Sequence, residues 1–135
     1  MEIAKTLYLG ELRTEATHVR SGMKILTDAP PDNQGKGESF SPSDLLATAL
    51  GSCMLTIMGI ASRTHGIQMD GTKITVTKIM VPNPRRVSEV HITFDMPDVI
   101  YTEKEKSILV NAAQTCPVAL SVHPDIKQVL TFNYK

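Results

Sequence analysis

The sequence predicts an α+β domain with the element order βββ-α-ββ-α-α-β. Three observations lead there: short β-forming segments separated by glycines at the start, one long uncharged helical stretch in the middle, and hairpin and helix patterns that follow in blocks without alternating βαβ units. At 135 residues the chain has the length of a single domain, 1–135, and its 41% hydrophobic and 21% charged residues are the composition of a folded soluble protein.

The first segments, 6–9, 14–17 and 23–26, are rich in β-formers and punctuated by Gly10 and Gly22, which suggests a small meander of three strands. Residues 28–39, with Pro30, Pro31, Asn33, Gly35 and Gly37, read as a long loop. A helix follows it, because Ser41 suits the N-cap, Pro42 the first helical position and Asp44 the place of a capping carboxylate. Leu46, Leu50, Cys53, Ile57 and Ile60 recur at steps of three and four, which puts Cys53 on the predicted buried stripe, and Gly66 suits the residue after the last turn. Ala47, Gly51 and Gly59 recur on neighbouring turns, where another backbone, such as that of a second subunit, would fit closely.

Segments 73–81 and 87–96 predict a hairpin around 82–86, with Val90, Ile92, Phe94 and Met96 on one face and Glu89, His91 and Asp95 on the other. Thr102-Glu103-Lys104-Glu105 is a capping-box pattern that opens a second helix through Ile108, Leu109, Ala112 and Ala113. Pro117 stops it and takes the first position of a short third helix, 118–122. Ile126, Gln128, Leu130, Phe132 and Tyr134 then alternate as a last strand.

Fourteen Lys and Arg balance fourteen Asp and Glu, and no basic run supplies a footprint for nucleic acid, which is excluded as a partner class. The start, Met1-Glu2-Ile3-Ala4-Lys5, has no apolar stretch behind a basic head, so the cytoplasm is the expected location. Residues 45–62 carry no formal charge and reach the lower edge of membrane-span length. Thr48, Ser52, Thr56 and Ser62 within them, and strand patterns on both sides, favour a core helix and no membrane. The four histidines, His18, His65, His91 and His123, have no metal-ligand spacing, so neither metal nor cofactor is expected.

Only two cysteines occur, Cys53 and Cys116, too few for an all-cysteine zinc site, and a redox pair remains open. Cys116 immediately precedes the N1 proline, so the free donors of the short helix point toward its sulfur, a position suited to a resolving or reactive thiol. Cys53 lies about three turns into its helix, beyond the reach of the terminal dipole. A reactive Cys53 therefore demands an Arg or Lys beside it and a carboxylate holding that cation. Spacing alone leaves the other reading open, in which both cysteines are small apolar fillers.

The wording around the cysteines, Ser41-Pro42-Ser43-Asp44-Leu45-Leu46-Ala47-Thr48-Ala49-Leu50-Gly51-Ser52-Cys53 and later Cys116-Pro117-Val118, resembles the OsmC/Ohr family of osmotically inducible and organic hydroperoxide resistance proteins. The resemblance extends over nearly the whole chain and implies the OsmC-like fold, an intertwined homodimer with buried central helices, and active sites at the subunit interface. It further implies a peroxidase in which Cys53 attacks a hydroperoxide and Cys116 resolves the sulfenic acid as a disulfide. An external dithiol, lipoyl or thioredoxin-like, would then regenerate the thiols. The family's site adds an arginine and a glutamate. Arg13 stands about where the hydroperoxide branch carries its arginine, with Arg20 and Lys36 as rivals. The glutamate position holds Ser43, and the carboxylate comes one residue later at Asp44, which serves equally as a capping residue.

Met54, Met58, Met80 and Met96 suit core filling, and within the peroxidase reading also a pocket for a fatty or aromatic hydroperoxide. The displaced carboxylate motivates a competing reading, a noncatalytic dimeric binding protein for a small apolar ligand.

Overall fold

In the computed structural model, which describes residues 1–135, strands β1 (Ala4–Gly10), β2 (Arg13–His18) and β3 (Lys24–Asp28) form an antiparallel sheet in the order β1-β2-β3. The β1–β2 turn puts Gly10, Glu11 and Leu12 all at positive φ, a conformation that costs the two non-glycine residues. It is held by the Ala29 N–H donating to the Leu12 carbonyl at 3.1 Å and the Leu12 N–H donating to the Tyr8 hydroxyl at 3.2 Å. The β2–β3 register sets Arg13 opposite Asp28 and Thr17 opposite Lys24. The following loop contains a 3₁₀ turn, Pro31–Asn33.

The chain divides into two compact units, Met1–Leu46 and Ala47–Lys135. In the second, strands β4 (Lys73–Val81), β5 (Arg86–Asp95) and β6 (Lys127–Asn133) form a sheet in the order β4-β5-β6, antiparallel between β4 and β5 and parallel between β5 and β6. A parallel neighbour requires a crossover, and helices α2 (Glu103–Gln114) and α3 (Pro117–Ser121) provide it. Val90, Ile92 and Phe94 are buried on one face of β5, paired with Ile74 and Val76 of β4 and with Leu130 and Phe132 of β6. Phe94 stacks on Phe132 with centroids 4.3 Å apart.

Helix α1 (Pro42–His65) packs on that face through Leu50, Gly51, Met54 and Met58, which fill the core with β5 and α2. By length and hydropathy α1 is long and apolar enough to cross a membrane, and 33% of its most apolar window, on the side facing β5 and α2, is buried in the core. The expected stripe is corrected in phase: Leu46 and Ile60 are 40% and 57% exposed, while Cys53 and Ile57 are half-buried. A helix with small or apolar residues on nearly every side gives a weak phase signal, so sheet contact decides it. Ala47 and Gly51 are likewise buried within their own chain, Gly51 directly beneath Ile74 and Val76. Gly66, at φ +66, ends the helix, and the Ile67 N–H donates to the Ser62 carbonyl.

The capping box of α2 is present, with Glu105 N–H on the Thr102 hydroxyl at 3.1 Å and Thr102 N–H on the Glu105 carboxylate at 2.9 Å. Leu109, Ala112 and Ala113 bury its inner face. Tyr101, just before the cap, donates its hydroxyl to the Gln68 carbonyl at 2.6 Å.

Candidate active site

The crossover brings Cys116 to Cys53. Cys116 is the N-cap of α3, fully buried, with Pro117 at the first helical position as the sequence predicts. Its Sγ accepts the Ala119 N–H at 3.3 Å, and the Val118 N–H and the neighbouring Cys53 thiol also act on it. Cys53 is a partly exposed free thiol packed against the same core. The second unit thus holds a buried sulfur and an accessible one in contact.

Burial pushes the Cys116 thiol above the ordinary cysteine range; the Ala119 N–H works against that shift, and the neighbouring Cys53 adds to it. The Ala119 N–H is the donor expected at the start of α3, but desolvation outweighs it. Cys116 is held as a neutral thiol at neutral pH.

In the first unit, Arg13 is clamped by carboxylates. Its Nε donates to Asp28 Oδ1 at 2.7 Å and its Nη2 to Asp28 Oδ2 at 2.9 Å and to Glu38 Oε1 at 2.8 Å. Asp28 is 1% exposed and also accepts the Glu38 N–H at 3.0 Å. The Arg13 guanidinium holds the Asp28 carboxyl below the usual carboxylate range, and Asp28 in turn pushes Arg13 upward. Of the rival cations, Lys36 pairs with Glu11 at 2.6 Å and Arg20 is exposed. Arg13 is therefore the candidate fixed by a buried carboxylate.

Asp44 closes a reciprocal cap: Ser41 N–H donates to its Oδ2 at 2.9 Å, and its own N–H donates to the Ser41 hydroxyl at 3.1 Å. Sequence reasoning missed Asp28 and Glu38, having placed both in a loop. The signal for Asp28 was its position opposite Arg13 across the turn that joins β2 to β3, which makes them cross-strand partners.

Residues 35–130 match the family described as OsmC-like protein. A crystal structure from Psychrobacter arcticus 273-4, of a protein named for an osmotic stress induced and detoxification response, is 53% identical over 98% of this chain and 96% of that one, with a TM-score of 0.94. An organic hydroperoxide resistance protein OsmC from Legionella pneumophila is 12% identical, covers 98% of each chain and has a TM-score of 0.78. An organic hydroperoxide resistance protein from Elizabethkingia anophelis is 15% identical over 100% of this chain and 98% of that one, at 0.77. The last two share the fold and its βββ-α-ββ-α-α-β order. No curated protein sequence matches.

Proposed function

The chain belongs to the OsmC-like protein family, and from that premise we propose that it is a cysteine-based peroxidase that reduces organic hydroperoxides to alcohols. The observation that carries this reading is the contact between a partly exposed Cys53 and a fully buried Cys116. In this reading the Cys53 thiolate attacks the outer peroxide oxygen and the O–O bond breaks. The alkoxide leaves with a proton as the alcohol, and Cys53 becomes a sulfenic acid. Cys116 condenses with it, its proton and the sulfenic hydroxyl departing as water and the sulfurs joining as a disulfide. An external dithiol returns both thiols in each cycle.

Arg13, oriented by Asp28 and Glu38, is the cation that this reading takes from the family resemblance. Asp44 acts by fixing the start of the helix that carries Cys53. The proposed assembly is a homodimer, supported by the apolar side chains Leu7, Tyr8, Ile25 and Phe40 that a single chain leaves exposed, and the proposed location is the cytoplasm.

The test is the loss of cumene hydroperoxide and of hydrogen peroxide under excess dithiothreitol, in wild type, Cys53→Ser and Cys116→Ser. The expected result is dithiol-dependent turnover that favours cumene hydroperoxide, is abolished in Cys53→Ser, and accompanies a trapped Cys53–Cys116 disulfide in wild type. No turnover above the protein-free rate with fully reduced thiols would refute it.

One observation favours the binding-protein reading. A cleft of about 670 Å³ at the end of α1 is lined by Ile60, Ser62, Arg63, Ile67 and Met69, and the buried Ser62 hydroxyl has no hydrogen-bond partner. Saturable binding of a fluorescent fatty acid to a protein whose thiols survive hydroperoxide would select that reading.

A further inference from the structure

The last strand carries a polar residue in an apolar row. Gln128 shares its face with Leu130 and Phe132 and pairs across β5 with the buried Val90. Its amide has a specific partner: Nε2 donates to the Ala119 carbonyl at 3.0 Å. A carbonyl accepts only, so the nitrogen must face it. Ala119 is also the residue whose N–H sits on Cys116 Sγ. Gln128 thus tethers the five-residue helix α3 to the sheet at the residue that donates to the sulfur.

The structure assigns Gln128 as a positioning residue that, through Ala119, holds Cys116 as the departing sulfur when a dithiol opens the Cys53–Cys116 disulfide at the Cys53 side. This rests on the disulfide cycle of the proposed function. The warrant for direction is access: Cys116 is fully buried while Cys53 is partly exposed, and a reductant attacks the sulfur it can reach. A reductant thiolate bonds Cys53 Sγ, the Cys53–Cys116 bond breaks, and its electron pair leaves on the Cys116 sulfur, where the Ala119 N–H meets it. Cys116 then takes up a proton. The reductant's second thiol, losing its proton, closes on the first sulfur and releases Cys53. The dithiol becomes a cyclic disulfide, and the protein disulfide gains two electrons to become two thiols. Because burial favours the protonated form of Cys116, the released thiol is a poor nucleophile for returning to the mixed disulfide.

The test starts from protein oxidised with diamide, so that it does not depend on peroxidase turnover. Excess glutathione is added, the reaction is quenched in acid, free thiols are alkylated, and peptides are mapped. The expected result is glutathione on Cys53 and the alkyl group on Cys116. Glutathione found mainly on Cys116, or equally on both, overturns the direction of attack. In Gln128→Met, which keeps length and loses the donor, reduction by dithiothreitol should slow roughly three- to tenfold. The alkylation midpoint of Cys116, read in a Cys53→Ser background, should rise. An unchanged rate and midpoint in a folded Gln128→Met protein overturn the positioning role. If diamide forms no Cys53–Cys116 disulfide, this inference and the peroxidase cycle fall together. If the disulfide forms and opens as expected but hydroperoxide is not consumed, the peroxidase reading alone falls.

Discussion

Replacing Gly51 by alanine sets two effects of known sign against each other on the helix that carries Cys53. In a helix interior the change removes glycine's entropy penalty and favours folding by roughly 1 kcal/mol. In place, the new Cβ would sit 2.7 Å from Ile74 Cδ1 and 3.2 Å from Val76 Cγ2. The Ile74 end methyl can swing away at about 1 kcal/mol of off-rotamer strain, but the Val76 methyl hangs on a stiff β-branched side chain. Overpacking a filled core costs typically about 1–3 kcal/mol, so packing should win and Gly51→Ala should lose about 1 kcal/mol net. Ile74→Val removes the closer methyl and by itself costs about 0.5–1.5 kcal/mol. Combined, the two changes should be better than their sum by about 1 kcal/mol. Urea midpoints of the four proteins, at one fixed concentration, measure this directly. A Gly51→Ala protein stabilised by the full helix gain, or a cycle that is additive, would refute the seating of α1 on β4.

Other outcomes follow from the remaining sites. Asp28 has its carboxyl held below the ordinary value chiefly by Arg13, so the stability it contributes is present at neutral pH and is lost as pH falls below the ordinary carboxylate range. Asp28→Asn should lower stability at pH 7 and flatten the acid limb of a urea-midpoint profile; an unchanged acid limb counts against the clamp. Because burial raises Cys116, iodoacetamide at pH 8 should modify Cys53 first, and Cys116 should react only as pH rises above the usual thiol range. Equal rates, followed by peptide mapping, would contradict this. Thr102→Ala removes one half of the α2 capping box and should cost about 1 kcal/mol in thermal or urea unfolding, while Thr102→Ser should cost far less.

What the sequence made legible was local. Pro42, Pro117 and Gly66 mark helix ends by rules that need no tertiary context, and the structure places them there. The β5 alternation of Val90, Ile92 and Phe94 similarly marks the covered face. The phase of α1 was not legible, because a helix this uniformly apolar is turned by what it packs on. The parallel pairing of β6 was hidden as well, since alternation gives a strand its faces but not its neighbour. At the site, the motifs flagged both cysteines, yet the balance at Cys116 between burial and its backbone donors is a tertiary quantity. The Arg13–Asp28 clamp lay within reach, because the short connection between His18 and Lys24 fixes the register of its two strands.

The parallel strand has a thermodynamic consequence. Because β6 lies alongside β5 in the same direction, the connection between them must travel the length of the sheet, and it carries Cys116 back over the helix of Cys53. A covalent link between these sulfurs would therefore close a loop of 116 − 53 = 63 residues that includes β4, β5 and α2. On a chain-entropy account, a loop of that length withdraws about 4 kcal/mol of freedom from the unfolded ensemble. For a domain of this size that corresponds to an unfolding temperature roughly 10–20 °C higher when oxidised than when reduced. Heat resistance in this protein would then be a reading of its oxidation state, with the most robust molecules those that have just reacted and still await their reductant.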